Sequence, residues 1–334
     1  MFETLKNAWK LPDLKRRICF TLMIIVIFRF GAALPVPFLD ASVMQGFGDG
    51  NLLGFLNMLT GGAFQNATLF ALSISPYITA SIVVQLLAVA IPALEQMAKE
   101  GAEGRKRLNK ISRYVTIGLA LIQSFGYYQL LNRRGAVVDG GNAFGNFLLA
   151  TTIILMFTAG SMICVWLGEQ IDEKGIGNGI SMILFAGIVS RLPDGMHVIF
   201  QYLQAGTVNI LNVILFAVIA LAMIVFVVAI SQGIRKIPVQ YAKRVVGRKM
   251  YGGHTSYIPL KVNQAGVIPI IFASSVLMFP VTIGQFVDIP WVKTVAGWFA
   301  WGTPLQTTLY VLMILFFTYF YTCLLYTSPS PRDR

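Results

Sequence analysis

Long runs of apolar residues, separated by short polar segments, dominate the pattern of this chain. A helix needs about 20 mostly apolar residues to cross a bilayer. These runs are too long and too continuously apolar for the alternating strands of a membrane barrel, whereas a helix satisfies its own backbone hydrogen bonds in lipid. We therefore predict an all-α polytopic membrane protein with eight spans, near residues 18–38, 68–91, 114–131, 147–168, 180–200, 209–231, 264–284 and 305–326.

Composition supports a membrane protein. Of the 334 residues, 56% are hydrophobic and 12% are charged, about half the charged fraction of an average soluble domain. The formal net charge is +12, which in a soluble protein would indicate nucleic-acid binding. Here the basic residues concentrate in a few loops between apolar runs, and this pattern indicates membrane orientation and cytoplasmic partners instead.

The basic loops predict the topology. If the N-terminus is cytoplasmic, the cytoplasmic segments hold 19 of the 26 Lys and Arg residues and the opposite loops hold 4. This bias follows the positive-inside rule. Residues 1–17 are then a cytoplasmic amphipathic N-terminus, and we predict no cleavable signal peptide. The other cytoplasmic segments are 91–113, 169–179 and 232–263.

Two segments between the spans carry further predictions. Residues 51–64 are apolar but too short to span, and two open interpretations are an interfacial helix and a re-entrant segment that enters a cavity between helices. Residues 232–263 alternate basic and apolar positions around Gly247, Gly252 and Gly253. This alternation predicts a β-hairpin that projects into the cytoplasm.

Candidate catalytic chemistry is sparse. Glu169, Asp172 and Glu173 cluster at a helix end, where we interpret them as a solvated turn. The glycine-rich run 175–179 lacks the Lys-Ser/Thr ending of a phosphate loop. The three cysteines and two histidines have no metal-ligand spacing. We therefore predict a protein that is not an enzyme and that has no cofactor. Only Arg29 lies well within a span, which argues against a proton-coupled carrier.

A short sequence pattern occurs twice. Residues 76–83 and 269–276 both follow P-x-I-x-A-S-x-V. By the predicted topology the two spans run in opposite directions, as expected of an inverted repeat with five spans in each half. Proline early in a helix and Ala-Ser pairs also suit helices that contact each other closely and can separate.

Five longer motifs identify a family. They are FALSISPYITASIVVQLL at 70–87, KEGAEGRK at 99–106, WLGEQIDEKGIGNG at 166–179, YAKR at 241–244 and NQAGVIPIIFASS at 263–275. With these motifs the chain resembles the bacterial SecY family, the central subunit of the protein-translocating channel. The resemblance implies a bundle of ten spans in two inverted halves that passes unfolded secretory polypeptides across the bacterial cytoplasmic membrane and membrane helices sideways into it.

The resemblance also implies the roles of individual residues. The pore ring would comprise Ile74, Ile78, Ile180, Leu184 and Ile271, with leucine at 184 as a conservative replacement for the family's isoleucine. The plug, within 52–64, would include Leu52, Leu53, Phe55, Leu56, Met58 and Leu59. The lateral gate to lipid would include Pro76, Ser81, Pro269 and Ser274. Cytoplasmic partners would dock on Arg235, Lys236, Lys243, Arg244, Arg248, Lys249, Arg105, Lys106 and Arg107.

The same resemblance implies domains and partners. Residues 18–200 would form the N-terminal half with spans one to five, and 201–322 an incomplete C-terminal half with spans six to eight. The family pattern stops near residue 322, and we predict that 323–334 is a non-native tail of a C-terminally truncated chain. Phe38 also stands where the family usually has glycine. The implied partners are SecE, SecG, the motor ATPase SecA, the ribosome, signal sequences, nascent polypeptide and membrane lipid.

Two other classes of function remain as alternatives. A secondary transporter for a small solute would need a polar binding site at mid-membrane. A membrane-embedded enzyme would need a catalytic constellation. Neither feature is evident in the sequence, whereas large basic cytoplasmic loops and a charge-free pore favour a channel that passively conducts polypeptide.

Overall fold

A computed structural model describes most of the chain. It covers residues 11–40, 43, 54, 57–58, 60–239, 244–246, 249–251, 256–263, 266–267, 269–270, 272–274, 276–277, 290–299 and 302–326. The backbone divides into two compact units. The first comprises Met1–Gly195 with Met278–Gln306, and the second comprises Met196–Leu277 with Thr307–Arg334.

Helices account for most of the described chain. Those of the first unit are α1 (Pro12–Ala33), α2 (Ser75–Ala90), α3 (Pro92–Lys99), α4 (Ala102–Arg133), α5 (Ala143–Lys174), α6 (Gly179–Val189) and α9 (Pro290–Trp298). Helix α7 (Leu192–Gln204) begins in the first unit and continues into the second. The second unit contains α8 (Ile210–Gln232) and most of α10 (Pro304–Tyr326).

A β-hairpin follows α8, so the hairpin predicted within 232–263 is confirmed. Strand β1 (Ile234–Val239) pairs antiparallel with β4 (Ser256–Lys261), with Ile234 opposite Lys261 and Val239 opposite Ser256. Nearer the tip, β2 (Arg244–Val246) pairs antiparallel with β3 (Lys249–Tyr251). Basic and apolar residues are interspersed in these strands without strict alternation, since Arg235 and Lys236 are adjacent on β1 and Val245 and Val246 are adjacent on β2.

Two helices do not begin where their predicted spans begin. Helix α2 begins at Ser75 rather than 68, because Ser73 has a positive φ of 47° and Pro76 occupies the first helical turn, where its fixed φ suits a helix start. Helix α4 begins at Ala102 rather than 114. The hydropathy pattern leaves residues 102–113 out of the predicted span because many of them are charged. Lys106 Nζ nevertheless lies 3.7 Å from Glu103 Oε1, and such pairs support a helix that projects beyond the membrane.

The predicted fifth span is interrupted. Helix α6 ends at Val189 and α7 begins at Leu192. Pro193 explains the interruption, since it has no amide proton to donate to the preceding turn and its ring would clash with the carbonyl four residues back. The two helices together still have the length and apolar composition of a span.

Within the described ranges, four helical stretches are long and apolar enough to cross a membrane by length and composition: Ala143–Lys174, Gly179–Gln204, Ile210–Gln232 and Pro304–Cys323. The count of eight spans stays a prediction. Helix α2 has 16 residues. At its length of about 24 Å it is shorter than a hydrocarbon core of about 30 Å. The turns of 60–74 precede it and most of their residues are buried, which is the condition under which irregular backbone is tolerated at membrane depth.

Two apolar clusters of described residues form the core of the first unit. The first joins α1, the turns of 63–74, α2, α5 and α6 through residues such as Phe28, Ile74, Leu167 and Ile183. The second joins α4 and α5 to the segments around Val36 and Phe64. Both clusters pack around the irregular segment 60–74, which is therefore held from several sides.

In the second unit, α8 buries none of its residues against the described protein. A helix that is apolar all round and exposed is suited to a lipid environment. Phe272 packs against α10, with ring centroids 5.2 Å from Phe317 and 5.6 Å from Tyr321. Helix α10 continues without a break through Cys323 to Tyr326, so the backbone does not mark the start of the predicted non-native tail.

Candidate pore constriction

The first candidate ring residues stand at the start of α2. Ile74 is the N-cap residue, and its side chain is completely buried. The amide of Ile78 donates a 3.1 Å hydrogen bond to the carbonyl oxygen of Ile74, so the two residues lie one turn apart. Side chains four positions apart lie on the same helix face. Ile78 is half-buried and packs against the cluster that contains Ile74.

The turn between α5 and α6 places Ile180. Oδ1 of Asp172 accepts a 2.7 Å hydrogen bond from the amide of Gly179, the first residue of α6. Oδ1 of Asn178 accepts a 3.0 Å bond from the amide of Ser181 and so caps the helix. A β-carbon at Gly179 would overlap the carbonyl oxygen of Gly168, so glycine is required where α6 meets α5.

The acidic cluster is largely solvated, as predicted, since Asp172 and Glu173 are exposed and Glu169 is half-buried. Asp172 binds the start of α6, and Oε1 of Glu169 accepts a 2.8 Å hydrogen bond from Nε of Arg113 on α4. Thr21 on α1 also contacts this turn, since its Oγ1 accepts a 3.1 Å bond from the amide of Ile176. Asp172 and Glu169 therefore also connect neighbouring helices. The spacing between Asp172 and Gly179 in the sequence gave no signal of their bond.

The structure brings three of the five ring residues into one apolar cluster: Ile74, Ile78 and Ile180. Leu184 is half-buried, but it does not belong to this cluster, where its neighbour Ile183 is fully buried instead. Ile271 lies outside the described residues. Within the part of the chain that the structure describes, no Asp, Glu, Lys or Arg residue is buried.

Most of the predicted plug lies outside the described residues. This applies to Leu52, Leu53, Phe55, Leu56 and Leu59. Met58 is described, and its side chain is exposed. The following residues form turns, in which Oδ1 of Asn57 accepts a 3.0 Å bond from the amide of Gln65, and Gly61 and Gly62 have positive φ angles of 64° and 90°.

The predicted docking residues are spread over two places. Lys106 and Arg107 on α4 are exposed, and Arg107 Nη1 lies 3.9 Å from Glu100 Oε2. Arg235 and Lys236 lie on β1, where the Lys236 ammonium is 4.8 Å from the ring centroid of Tyr257. Arg244 lies on β2, Lys249 on β3 and Arg105 on α4, whereas Lys243 and Arg248 lie outside the described residues.

The predicted gate residues show the same local pattern in both copies of the repeated motif. Pro76 and Pro269 are both buried, at the helical starts of their segments. Ala80 and Ala273 are both completely buried, and the serines that follow, Ser81 and Ser274, are both half-buried. Pro76 and Ser81 belong to the first unit, and the other two belong to the second. Burial thus matches at the proline, alanine and serine positions, whereas Tyr77 and Val83 are half-buried where Ile270 and Val276 are exposed.

The described titratable groups offer no competing site. Among the residues that the structure describes, no group of three or more His, Cys, Asp or Glu side chains could hold a metal ion. Helices of membrane length, an apolar cluster and a basic hairpin are together typical of a helical membrane protein.

Comparison with known proteins gives the family. The SecY family profile matches residues 68–331. The protein translocase subunit SecY of Pseudomonas aeruginosa is 43% identical over 330 residues, which cover 97% of this chain and 73% of that protein. The chain therefore belongs to the SecY family.

Solved structures agree with this fold. The structure described as that of a protein conducting channel matches with a TM-score of 0.58 and 21% identity, covering 84% of this chain and 62% of that chain. Sec61 in the canine ribosome-channel complex matches with a TM-score of 0.56 and 21% identity, covering 84% of this chain and 63% of that chain. The chain thus spans less than two thirds of the length of those channel chains. At this identity the likeness shows the channel fold.

Proposed function

We propose that this chain forms the pore-bearing body of a protein translocase, which passes unfolded secretory polypeptides across the bacterial cytoplasmic membrane and membrane helices sideways into lipid. The observation that carries the proposal is the joining of Ile74, Ile78 and Ile180 in one apolar cluster at the starts of two helices. Family membership supports the same interpretation, since the Pseudomonas aeruginosa relative is a translocase subunit.

The chemistry of the cluster suits a seal that must also yield. Branched aliphatic side chains give an entering ion no ligands to replace its hydration shell, so a narrow apolar constriction dewets and blocks ions. The same side chains have no hydrogen bonds to break when a polypeptide displaces them. Ile271 and Leu184 would add to the ring from the second copy of the repeat and from the next turn of α6. The segment 52–64 would close the outer side as a plug.

The gate would open at the two repeated motifs. Proline in the first helical turn lacks only an amide that would have no helical partner there, and the small Ala-Ser pair allows close packing without interlocked side chains. Pro76 and Ser81 on one side, and Pro269 and Ser274 on the other, would therefore separate at low cost. Lipid would then be the partner that receives a signal sequence or a membrane helix.

The basic hairpin would dock the cytoplasmic partners. Lys and Arg residues attract RNA phosphate and acidic protein surfaces, and a docked ribosome or SecA would supply the polypeptide and the driving force. The hairpin residues from Arg235 to Lys249 and the α4 residues 105–107 would share this role. SecE and SecG would complete the complex, with the N-terminus of this chain on the cytoplasmic side.

Crosslinking tests the proposal directly. A photo-reactive amino acid placed at position 78, in proteoliposomes supplied with a stalled secretory precursor, should crosslink to the precursor. The same probe at Ile219, on the exposed α8 helix, is the matched control and should not react with a precursor that is crossing the pore. Equal labelling from both positions, or none from 78, would contradict conduction through this cluster. Competition by a small solute would instead favour a transporter.

A further inference from the structure

The residue that precedes Ile74 has a strained backbone. Ser73 has a φ of +47°, a left-handed conformation that side chains other than glycine disfavour. It is 3% exposed, and its Oγ has no hydrogen-bond partner among the described residues. Such a conformation persists only where the surroundings impose it. Something other than the local sequence therefore holds Ser73 in place.

The adjacent helix α5 holds Ser73 in this conformation. Oγ of Ser161, a completely buried residue, donates a 2.9 Å hydrogen bond to the carbonyl oxygen of Ser73. One residue earlier, a β-carbon at Gly160 would overlap the carbonyl oxygen of Leu69, so α5 lies directly against the turns of 69–73. Gly160 permits this close approach, and Ser161 uses it to bind the strained peptide group.

The held peptide group sets the position of the ring residues. Two backbone hydrogen bonds lie on either side of this peptide group. The Ser73 amide donates a 2.9 Å bond to the carbonyl oxygen of Phe70, and the Ser75 amide donates a 3.2 Å bond to the carbonyl oxygen of Leu72. Ile74 lies between these two turns and Ile78 follows one helical turn later. A rotation of the Ser73 peptide would therefore move the start of α2, and the Ile74 side chain with it.

We propose that Ser161 is a positioning residue, which clamps the strained Ser73 peptide and thereby fixes Ile74 at the constriction. The consequence for the seal rests on the proposed function, whereas the clamp itself does not. Breaking the bond leaves the buried carbonyl oxygen of Ser73 without this donor and lets the strained φ relax. The clamp is thus a point at which the ring can be loosened without changing any ring residue.

A second buried hydroxyl pair, between Ser124 on α4 and Thr158 on α5, provides a matched control. Ser124 Oγ and Thr158 Oγ1 lie 3.0 Å apart, and Thr158 donates its proton to Ile154, so Ser124 is the donor to Thr158. Ser124→Ala removes one buried hydrogen bond, as Ser161→Ala does. Unlike Ser161, Ser124 bonds to a side chain rather than to the segment that bears Ile74.

Hydrogen exchange of the full chain in lipid nanodiscs tests the clamp. Ser161→Ala should speed amide exchange in the peptide covering 73–80 by about tenfold, and Ser161→Thr, which keeps the hydroxyl, should restore most of the protection. Ser124→Ala should leave this peptide at the parent rate. An unchanged rate in Ser161→Ala would overturn the clamp, and so would an equal acceleration in Ser124→Ala, which would indicate general loosening.

Ion conductance of the same variants separates the clamp from the seal. With Ser161→Ala, faster exchange and a raised resting leak would support both the clamp and the ring. Faster exchange without any change in leak would support the clamp and count against Ile74 as part of the seal. Because exchange is read without reference to transport, failure of the proposed function and failure of the clamp are distinguishable.

Discussion

Oδ1 of Asp172, near the end of α5, accepts a 2.7 Å hydrogen bond from the amide of Gly179, which begins α6. The carboxylate thus lies at a helix N-terminus, where a negative charge interacts favourably with the helix dipole and satisfies an otherwise free amide. Together with the Asn178 cap, this bond anchors the start of α6, and Ile180 is the next residue.

Asp172→Ala should therefore lower the free energy of unfolding by about 1–2 kcal/mol, in the range measured for lost N-terminal capping residues. Thermal unfolding of the chain in a mild detergent would measure the change. Glu173→Ala, one residue later and exposed, is the control and should cost less than about 0.5 kcal/mol. Similar losses in both variants would show that Asp172 has no special role.

The orientation has a direct test. A reporter that is active only outside the cytoplasm, fused at Gly252 in the hairpin, should be inactive, because the loops 91–113 and 232–263 are short and basic and resist translocation. The same reporter fused at 139–140, between α4 and α5, should be active. The reverse result at the two positions would invert the whole topology.

The docking role predicts a change in salt dependence. Replacing Arg248 and Lys249 by Glu should weaken ribosome binding and reduce the slope of log affinity against log salt, by about one unit for each phosphate that is no longer neutralised. Arg134→Glu, in a loop on the opposite side by the predicted topology, should leave the slope unchanged. A parent-like slope in the double variant would show that these two residues do not bind the ribosome.

Hydropathy predicted the apolar stretches well because lipid demands about 20 apolar residues in each span. It placed α8 and α10 within a residue or two at their N-termini, where a span begins sharply after polar residues. It does not give the start of α4, because this helix extends beyond the predicted span through charged residues that favour water over lipid. Hydropathy reports the lipid-facing part of a helix, and helical hydrogen bonding continues regardless of that boundary.

The irregular segment before α2 was harder to predict. Residues 68–74 are as apolar as a helix and carry no glycine or proline of their own, yet they form turns. The reason is tertiary: Gly160 and Ser161 approach from α5, and the Tyr127 hydroxyl donates to the carbonyl oxygen of Phe64. Such contacts lie far away in sequence, so no local pattern reports them.

The candidate site likewise combines features that the local sequence predicts with features that only helix packing determines. The spacing of Ile74 and Ile78 places both on one helix face, and the structure agrees. That Ile180 joins them depends on Gly168 and Gly179, which let α5 and α6 meet closely. Leu184 shares a face with Ile180 by the same spacing, but it lies outside the cluster. Helical periodicity therefore predicts which residues share a helix face, whereas helix packing decides which of them contact the cluster.

The most direct test of the seal is the resting ion conductance of the reconstituted protein in planar bilayers. Ile78→Asn should admit water and raise the leak well above the parent, because a polar side chain removes the dewetting of the constriction. Ile78→Leu keeps volume and apolarity and should stay as tight as the parent. If Ile78→Asn remains as tight as Ile78→Leu, even with residues 52–64 deleted, the apolar cluster is not the seal.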